Sequence, residues 1–134
     1  MGTYYTIITC RNSENDIENC IDSIVNQTLK PEYILVIDDG SSDKTSAILE
    51  NLKKTVSNLF IITNPDWGYD ITRVPFNYNK AIRLIEQNKL KDTDYHMIAS
   101  DDCIYESEYA AKIIAFMDKN SNKVFVSGNY EKSR

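Results

Sequence analysis

Residues 33–43 read YILVIDDGSSD, and this stretch decides the fold. Tyr33, Ile34, Leu35, Val36 and Ile37 form an apolar run without a polar break, which suits a strand buried on both faces in a parallel sheet. Asp38, Asp39, Gly40, Ser41, Ser42 and Asp43 then supply turn and helix-cap chemistry, with Ser42 or Asp43 placed to cap the next element. Ala47, Ile48, Leu52 and Val56 come next at helical spacing, so a helix with that face inward is expected. Strand, capped turn and helix in this order are the repeating unit of an α/β fold.

The same alternation extends in both directions. Upstream, the β-branched and aromatic residues 4–9 read as a strand, and Ser13 reads as an N-cap with Asp16 approximating a capping box. Ile17, Cys20, Ile21, Ile24 and Val25 then recur at helical spacing, and Pro31 closes that region. Downstream, residues 59–62 predict a third strand. Residues 63–74 predict a long irregular segment holding Pro65, Trp67, Gly68 and Tyr69, with both aromatics read as loop anchors. A helix is expected from about residue 76 to 90, with Ala81, Ile82 and Ile85 inward. A fourth strand at 95–99 runs into Ser100, Asp101 and Asp102. A helix over 106–118 should present Tyr109, Ile113, Phe116 and Met117, and a fifth strand is expected at 123–127. These elements predict a three-layer α/β/α sandwich, Rossmann-like, with a mainly parallel sheet. The 134 residues suffice for one domain.

Composition removes several classes of function. The net charge is −5 and the longest basic run is Lys53-Lys54, so the basic stripe of a nucleic-acid partner is missing. Three cysteines without a CxxC spacing fit neither a disulfide framework nor a zinc site, and suggest reduced thiols in a cytoplasmic protein. No apolar stretch approaches the roughly 20 residues of a membrane span, and no signal peptide is read at the start. The turn after the first strand has no glycine, so a dinucleotide fingerprint is missing there, and no phosphate-binding P-loop pattern occurs. A phosphoacceptor domain would want its acidic pair after the first strand, where Thr9-Cys10-Arg11 stands. His96, the single histidine, falls inside a strand and reads as a packed or edge residue.

The unusual polar residues collect at strand ends. The first strand ends in Thr9-Cys10-Arg11, the second in Asp38-Asp39 and the fourth in Asp101-Asp102. In open α/β sheets ligands bind beyond the carboxyl ends of the strands, so one ligand-binding edge is predicted there. Adjacent carboxylates repel unless a cation or hydrogen-bond donors relieve them, and a hard divalent ion would also hold phosphates. A helix-capping turn has the same composition.

These residues resemble a known family. Residues 5–12 (YTIITCRN), 21–28 (IDSIVNQT), 37–43 (IDDGSSD) and 99–105 (ASDDCIY), with the pattern from Arg73 to Asn79-Lys80-Ala81-Ile82, are similar to the opening of family 2 glycosyltransferases, the bacterial spore-coat polysaccharide type among them. The resemblance implies a GT-A fold, of which the chain would be the N-terminal, donor-binding half. It implies transfer of a sugar from a nucleotide-diphosphate donor, a UDP-sugar, to a saccharide or other hydroxyl acceptor with inversion. Thr9 and Arg11 would line the base and ribose. Asp39, with Asp38 beside it, would accept from the uracil N3–H, and Arg73 would donate to the base. Asp101 would approach the ribose or metal shell, and Asp102 would ligate Mn²⁺ or Mg²⁺. Two departures stand out: Arg11 occupies a position where tyrosine or asparagine is frequent, and the acidic motif reads Ser-Asp-Asp in place of Asp-x-Asp. No general base is identifiable. The competing reading is a non-catalytic nucleotide-binding or interaction module on the same scaffold. A nucleotidyltransferase would want a glycine-rich, basic first loop. Self-association is a further expectation, through a fifth strand left as a sheet edge.

Overall fold

The computed structural model describes residues 1–88, 90, 92–123 and 125–128. Among these residues four strands and four helices alternate: β1 (Tyr4–Cys10), α1 (Ile17–Val25), β2 (Ile34–Asp38), α2 (Thr45–Lys53), β3 (Leu59–Thr63), α3 (Arg73–Gln87), β4 (Tyr95–Ser100) and α4 (Tyr109–Lys119). The sheet order is β3-β2-β1-β4, and every pairing is parallel. The chain moves outward from β1 through β2 to β3, then returns across the sheet to place β4 on the other side of β1. Parallel crossovers are right-handed, so a reversal of direction puts the returning helix on the opposite face. Accordingly, α1, α2 and α4 cover one face and α3 covers the other.

Strand periodicity assigns side chains to these two faces. Ile8, Cys10, Ile34 and Val36 pack with Ile17, Cys20, Ile21, Ile24 and Leu49 on the α1/α2 side. Tyr5, Ile7, Tyr33, Leu35 and Ile37 pack with Ala81 and Ile85 on the α3 side. Because β2 is buried on both faces, hydropathy alone could not reveal this alternation. Cys10 and Cys20 are buried, and burial pushes both thiols up, Cys20 to about 12; Cys103 is half-buried.

Several expectations needed correction. Ser13 does not cap α1 with its side chain. Its carbonyl accepts from Asp16 and Ile17 N–H at 3.0 and 2.9 Å, and its hydroxyl turns to Asp101. Helix α2 buries Thr45, Leu49 and Leu52, with Ile48 and Val56 half-buried and Ala47 exposed. Asp43 Oδ1 accepts from Thr45 N–H at 2.9 Å, which fixes the start of the helix there, and the i, i+4, i+7 stripe counts from that residue. Helix α3 starts at Arg73, three residues before the expected point, because Pro75 sits in the first turn, where its missing N–H costs nothing. Helix α4 buries Ala110 and Ile114 and exposes Phe116. The expected fifth strand does not appear: Phe125, Val126, Ser127 and Gly128 carry no strand, and Val124 lies outside the described residues.

Candidate functional site

The point where strand order reverses lies between β1 and β4, and a crevice opens there beyond the carboxyl ends. It encloses about 230 Å³, and Thr9, Arg11, Asp39, Arg73 and Asp101 are among the residues lining it. Register brings them to one level. Thr9 pairs with Ile37 of β2 and Ser100 of β4, so Asp39 and Asp101 follow at nearly the same height.

Asp38 and Asp39 diverge because neighbouring strand residues point to opposite faces. Asp38 is fully buried and accepts from Ser41 N–H at 3.1 Å and from the Ser46 hydroxyl. It ties β2 to α2 and does not reach the crevice. Asp39 turns to the α3 side, where Arg73 meets it in a fork: Nε donates to Oδ2 at 2.7 Å and Nη2 to Oδ1 at 2.6 Å. Fork–fork pairs of this kind fix both groups in one plane.

Three polar residues behind this pair, Lys80, Asn64 and Asn77, were given no role by the sequence reading. Lys80 Nζ donates to Asn64 Oδ1 at 2.6 Å; Asn64 Nδ2 donates to Asp39 Oδ1 at 2.9 Å and to Asn77 Oδ1 at 3.1 Å. Asn77 Nδ2 then donates to Thr9 Oγ1 at 3.2 Å. Lysine can only donate and carboxylate can only accept, so both amide orientations are forced. The one available signal was Asn77 itself, a weak helix former one turn into an apolar helical face.

Arg11 lines the crevice, but its guanidinium is engaged with neighbouring loops. Nη1 donates to the Asp39 and Gly40 carbonyls at 2.7 and 3.1 Å, and Nη2 meets Asp66 Oδ1 at 2.8 Å. Next to it Asn12 adopts a positive φ of 50°, and its Oδ1 accepts from Ser42 N–H at 2.8 Å. Gly40, with φ of 71°, lies against the backbone of Pro65 and Asp66.

The acidic pair also splits. Asp101 accepts from the Ser13 hydroxyl, and burial holds its carboxyl above the usual carboxylate range despite that bond. Asp102 is exposed and outside the crevice wall; its Oδ1 accepts from Ser100 Oγ at 2.6 Å, and its Oδ2 has no partner among the described residues. Helix α1 steadies this loop. Ser23 Oγ accepts from Tyr105 N–H at 3.0 Å, and buried Gln27 accepts from Ala110 N–H at 2.8 Å while donating to the Glu106 carbonyl at 2.6 Å. The Gln27 of the sequence motif is therefore a tether for the acidic loop. Among the described residues no three Asp, Glu, His or Cys side chains converge to hold a metal unaided. One or two carboxylates with substrate phosphates and water suffice for Mg²⁺-like ions, and the all-oxygen donors here suit that arrangement.

Asp39 and Asp101 have opposite linkage. The Arg73 hydrogen bonds hold Asp39 below the usual carboxylate range. Its contribution to stability is therefore complete above about pH 4, near the unfolded value, and lost as pH falls through its folded value. Asp101 is raised, so its ionisation costs stability as pH rises through its folded value. The melting-temperature gap between wild type and Asp39→Asn should close on acidification below about pH 4. Asp101→Asn should gain on wild type as pH rises above that point. Parallel pH profiles for all three proteins would refute these assignments.

A family model described as glycosyl transferase family 2 matches residues 5–134. The poly(ribitol-phosphate) β-glucosyltransferase of Bacillus spizizenii is 43% identical over 58 residues, covering 42% of this chain and 9% of that protein. The poly-β-1,6-N-acetyl-D-glucosamine synthase of Staphylococcus epidermidis is 26% identical over 123 residues, covering 92% of this chain and 27% of that protein. Among solved structures, S. aureus TarS in complex with UDP superposes with a TM-score of 0.69 at 22% identity, over 89% of this chain and 33% of that one. The Pyrobaculum calidifontis mannosyltransferase in complex with GDP-mannose and Mn²⁺ gives 0.69 at 17%, over 87% and 32%. The sheet and its flanking helices thus match the GT-A architecture.

Proposed function

This chain belongs to glycosyl transferase family 2, and from that premise we propose that its residues form the donor-binding half of a catalytic domain that transfers a sugar from a UDP-sugar to an acceptor hydroxyl. The observation that carries the proposal is the Asp39–Arg73 fork inside the crevice at the strand-order reversal. A carboxylate and a guanidinium side by side offer an acceptor beside donors, the complement of a uracil edge with its N3–H between two carbonyls. Thr9 adds a hydroxyl whose oxygen already accepts from Asn77, which leaves its proton for the ligand. The complexes of TarS with UDP and UDP-GlcNAc support the choice of nucleotide.

Base recognition on the α3 side would leave the diphosphate pointing to β4. There Asp101 would approach the ribose, and Asp102 would hold Mn²⁺ or Mg²⁺ through its unengaged Oδ2. The ion, when bound, would offset the diphosphate charge and act as a Lewis acid for the departing nucleoside diphosphate. Attack of the acceptor hydroxyl on the anomeric carbon, as the bond to the nucleoside diphosphate breaks and a general base takes the hydroxyl proton, would invert its configuration. Cys103 and Ser100 flank Asp102 and leave its carboxylate facing solvent, where phosphate oxygens and water would share the ion with it.

The test is isothermal titration of UDP with Mn²⁺ and with chelator. Wild type should bind more tightly with the ion, and Asp102→Ala should bind equally weakly in both. The same metal enhancement in the variant would overturn the assignment of Asp102. No UDP binding by wild type under either condition would overturn the donor-binding reading.

A further inference from the structure

We propose that Trp67 is a positioning residue for the base-reading arginine, acting as an aromatic clamp on the face of the Arg73 guanidinium. This deepens the donor-binding reading and rests on it. The Arg73 guanidinium carbon lies 4.6 Å from the centroid of the Trp67 ring and 5.7 Å from that of Phe76. Arg73 lines the crevice and both rings stand beside it, Trp67 in the segment between β3 and α3 and Phe76 one turn into α3. Trp67 is 58% and Phe76 49% exposed, so neither contributes to the core, and their position is not explained by packing of the sheet.

The geometry of the guanidinium makes this clamp useful. Arginine carries five N–H donors, all in one plane. Asp39 takes one at Nε and one at Nη2, and the other three meet no partner among the described residues. A second carboxylate would hold the group equally well but would occupy those remaining donors. An aromatic face holds it from above through the ring quadrupole and leaves the in-plane donors directed at a ligand. Without Trp67 the fork to Asp39 persists, but only the more distant Phe76 ring remains over the guanidinium, and the free donors are aligned by the fork alone. The loop itself is anchored next to the ring. Asp66 Oδ1 accepts from Gly68 N–H at 2.9 Å, closing a turn around Trp67, and from Arg11 at 2.8 Å, which ties that turn to the end of β1.

The sequence has a single tryptophan, so its fluorescence reports on this residue alone. The experiment compares wild type, Trp67→Ala, Trp67→Phe and Asp39→Ala by UDP titration, with thermal melting on each. UDP should change the emission of wild type. Trp67→Ala should weaken UDP binding about two- to thirtyfold, the range expected of a cation–π contact, with a melting temperature close to wild type. Trp67→Phe should recover most of the affinity, because the ring face is retained. In the absence of ligand the emission of Arg73→Met should also differ from that of wild type. Unchanged UDP affinity in Trp67→Ala, or equal losses in the alanine and phenylalanine variants, would overturn the clamp. If Asp39→Ala loses UDP while Trp67→Ala does not, the clamp alone fails. If Asp39→Ala binds UDP as wild type does, the donor-binding reading fails with it.

Discussion

Asp39→Ala should weaken UDP binding by about a hundredfold, the largest loss expected of any single change in the crevice. A hydrogen bond to a charged group contributes about 1.5–3 kcal/mol, and each 1.4 kcal/mol is a tenfold change in affinity. The substitution removes the acceptor for the base N–H and releases Arg73 from the fork that aligns it. It also leaves the Nδ2 of buried Asn64 with one acceptor fewer. Asp39→Asn separates these effects. An amide keeps the shape and one acceptor oxygen but turns a donor toward either Arg73 or the base, so it should lose affinity by an intermediate amount. Titration of both variants with UDP and with CDP is the measurement. A wild-type affinity for UDP in Asp39→Ala would remove the central support for base reading at this position.

Gly40→Ala should lower stability by about 2–5 kcal/mol, combining a left-handed backbone cost with a steric one. The melting temperature should fall by about 10 °C. Gly40 has φ of 71°, and a Cβ there would lie 2.5 Å from Asp66 Cα and 2.7 Å from both Asp66 N and Pro65 O. Those are backbone atoms of the segment that carries Trp67, so relief of the clash moves the clamp as well as the turn. Gly68 supplies the control. Its φ of 82° is equally left-handed, but a Cβ would meet nothing within 4 Å. Gly68→Ala should therefore show the backbone cost alone, about 1–2 kcal/mol. Equal losses in the two variants would show that close approach to Pro65 and Asp66 plays no part.

The order and type of the four strands and four helices were legible because each carries a strong apolar pattern bounded by turn chemistry. The apolar run before Asp38 marks a buried parallel strand, and the structure shifts it by one residue, leaving out Tyr33 and including Asp38. What the pattern could not supply was rotation. Whether Ala47 or Leu49 faces inward depends on where α2 begins, and a single hydrogen bond from Thr45 to Asp43 decides that. The run at 123–127 has strand composition, yet composition gives no ladder partner, and none is present in its described residues. At the site, Thr9, Arg11, Asp39, Arg73 and Asp101 could be named from strand ends and from resemblance. The different surroundings of Asp38 and Asp39 follow from strand alternation, which a doubly buried strand hides in its hydropathy. The Lys80–Asn64–Asn77 relay was not legible, because it joins helix α3 to the segment after β3 through residues that are individually ordinary.

The burial of two cysteines has a practical consequence. Cys10 and Cys20 lie in the core with their thiols pushed up by burial, so neither offers a thiolate to an electrophile in the folded protein. Cys103 alone is partly open to solvent, and its Sγ is 3.8 Å from Asp102 Oδ1. The native sequence thus already carries a single attachment point for a maleimide dye or spin label, bonded next to the carboxylate assigned to the metal. A paramagnetic ion captured by Asp102 would broaden the signal of such a label without any engineered cysteine.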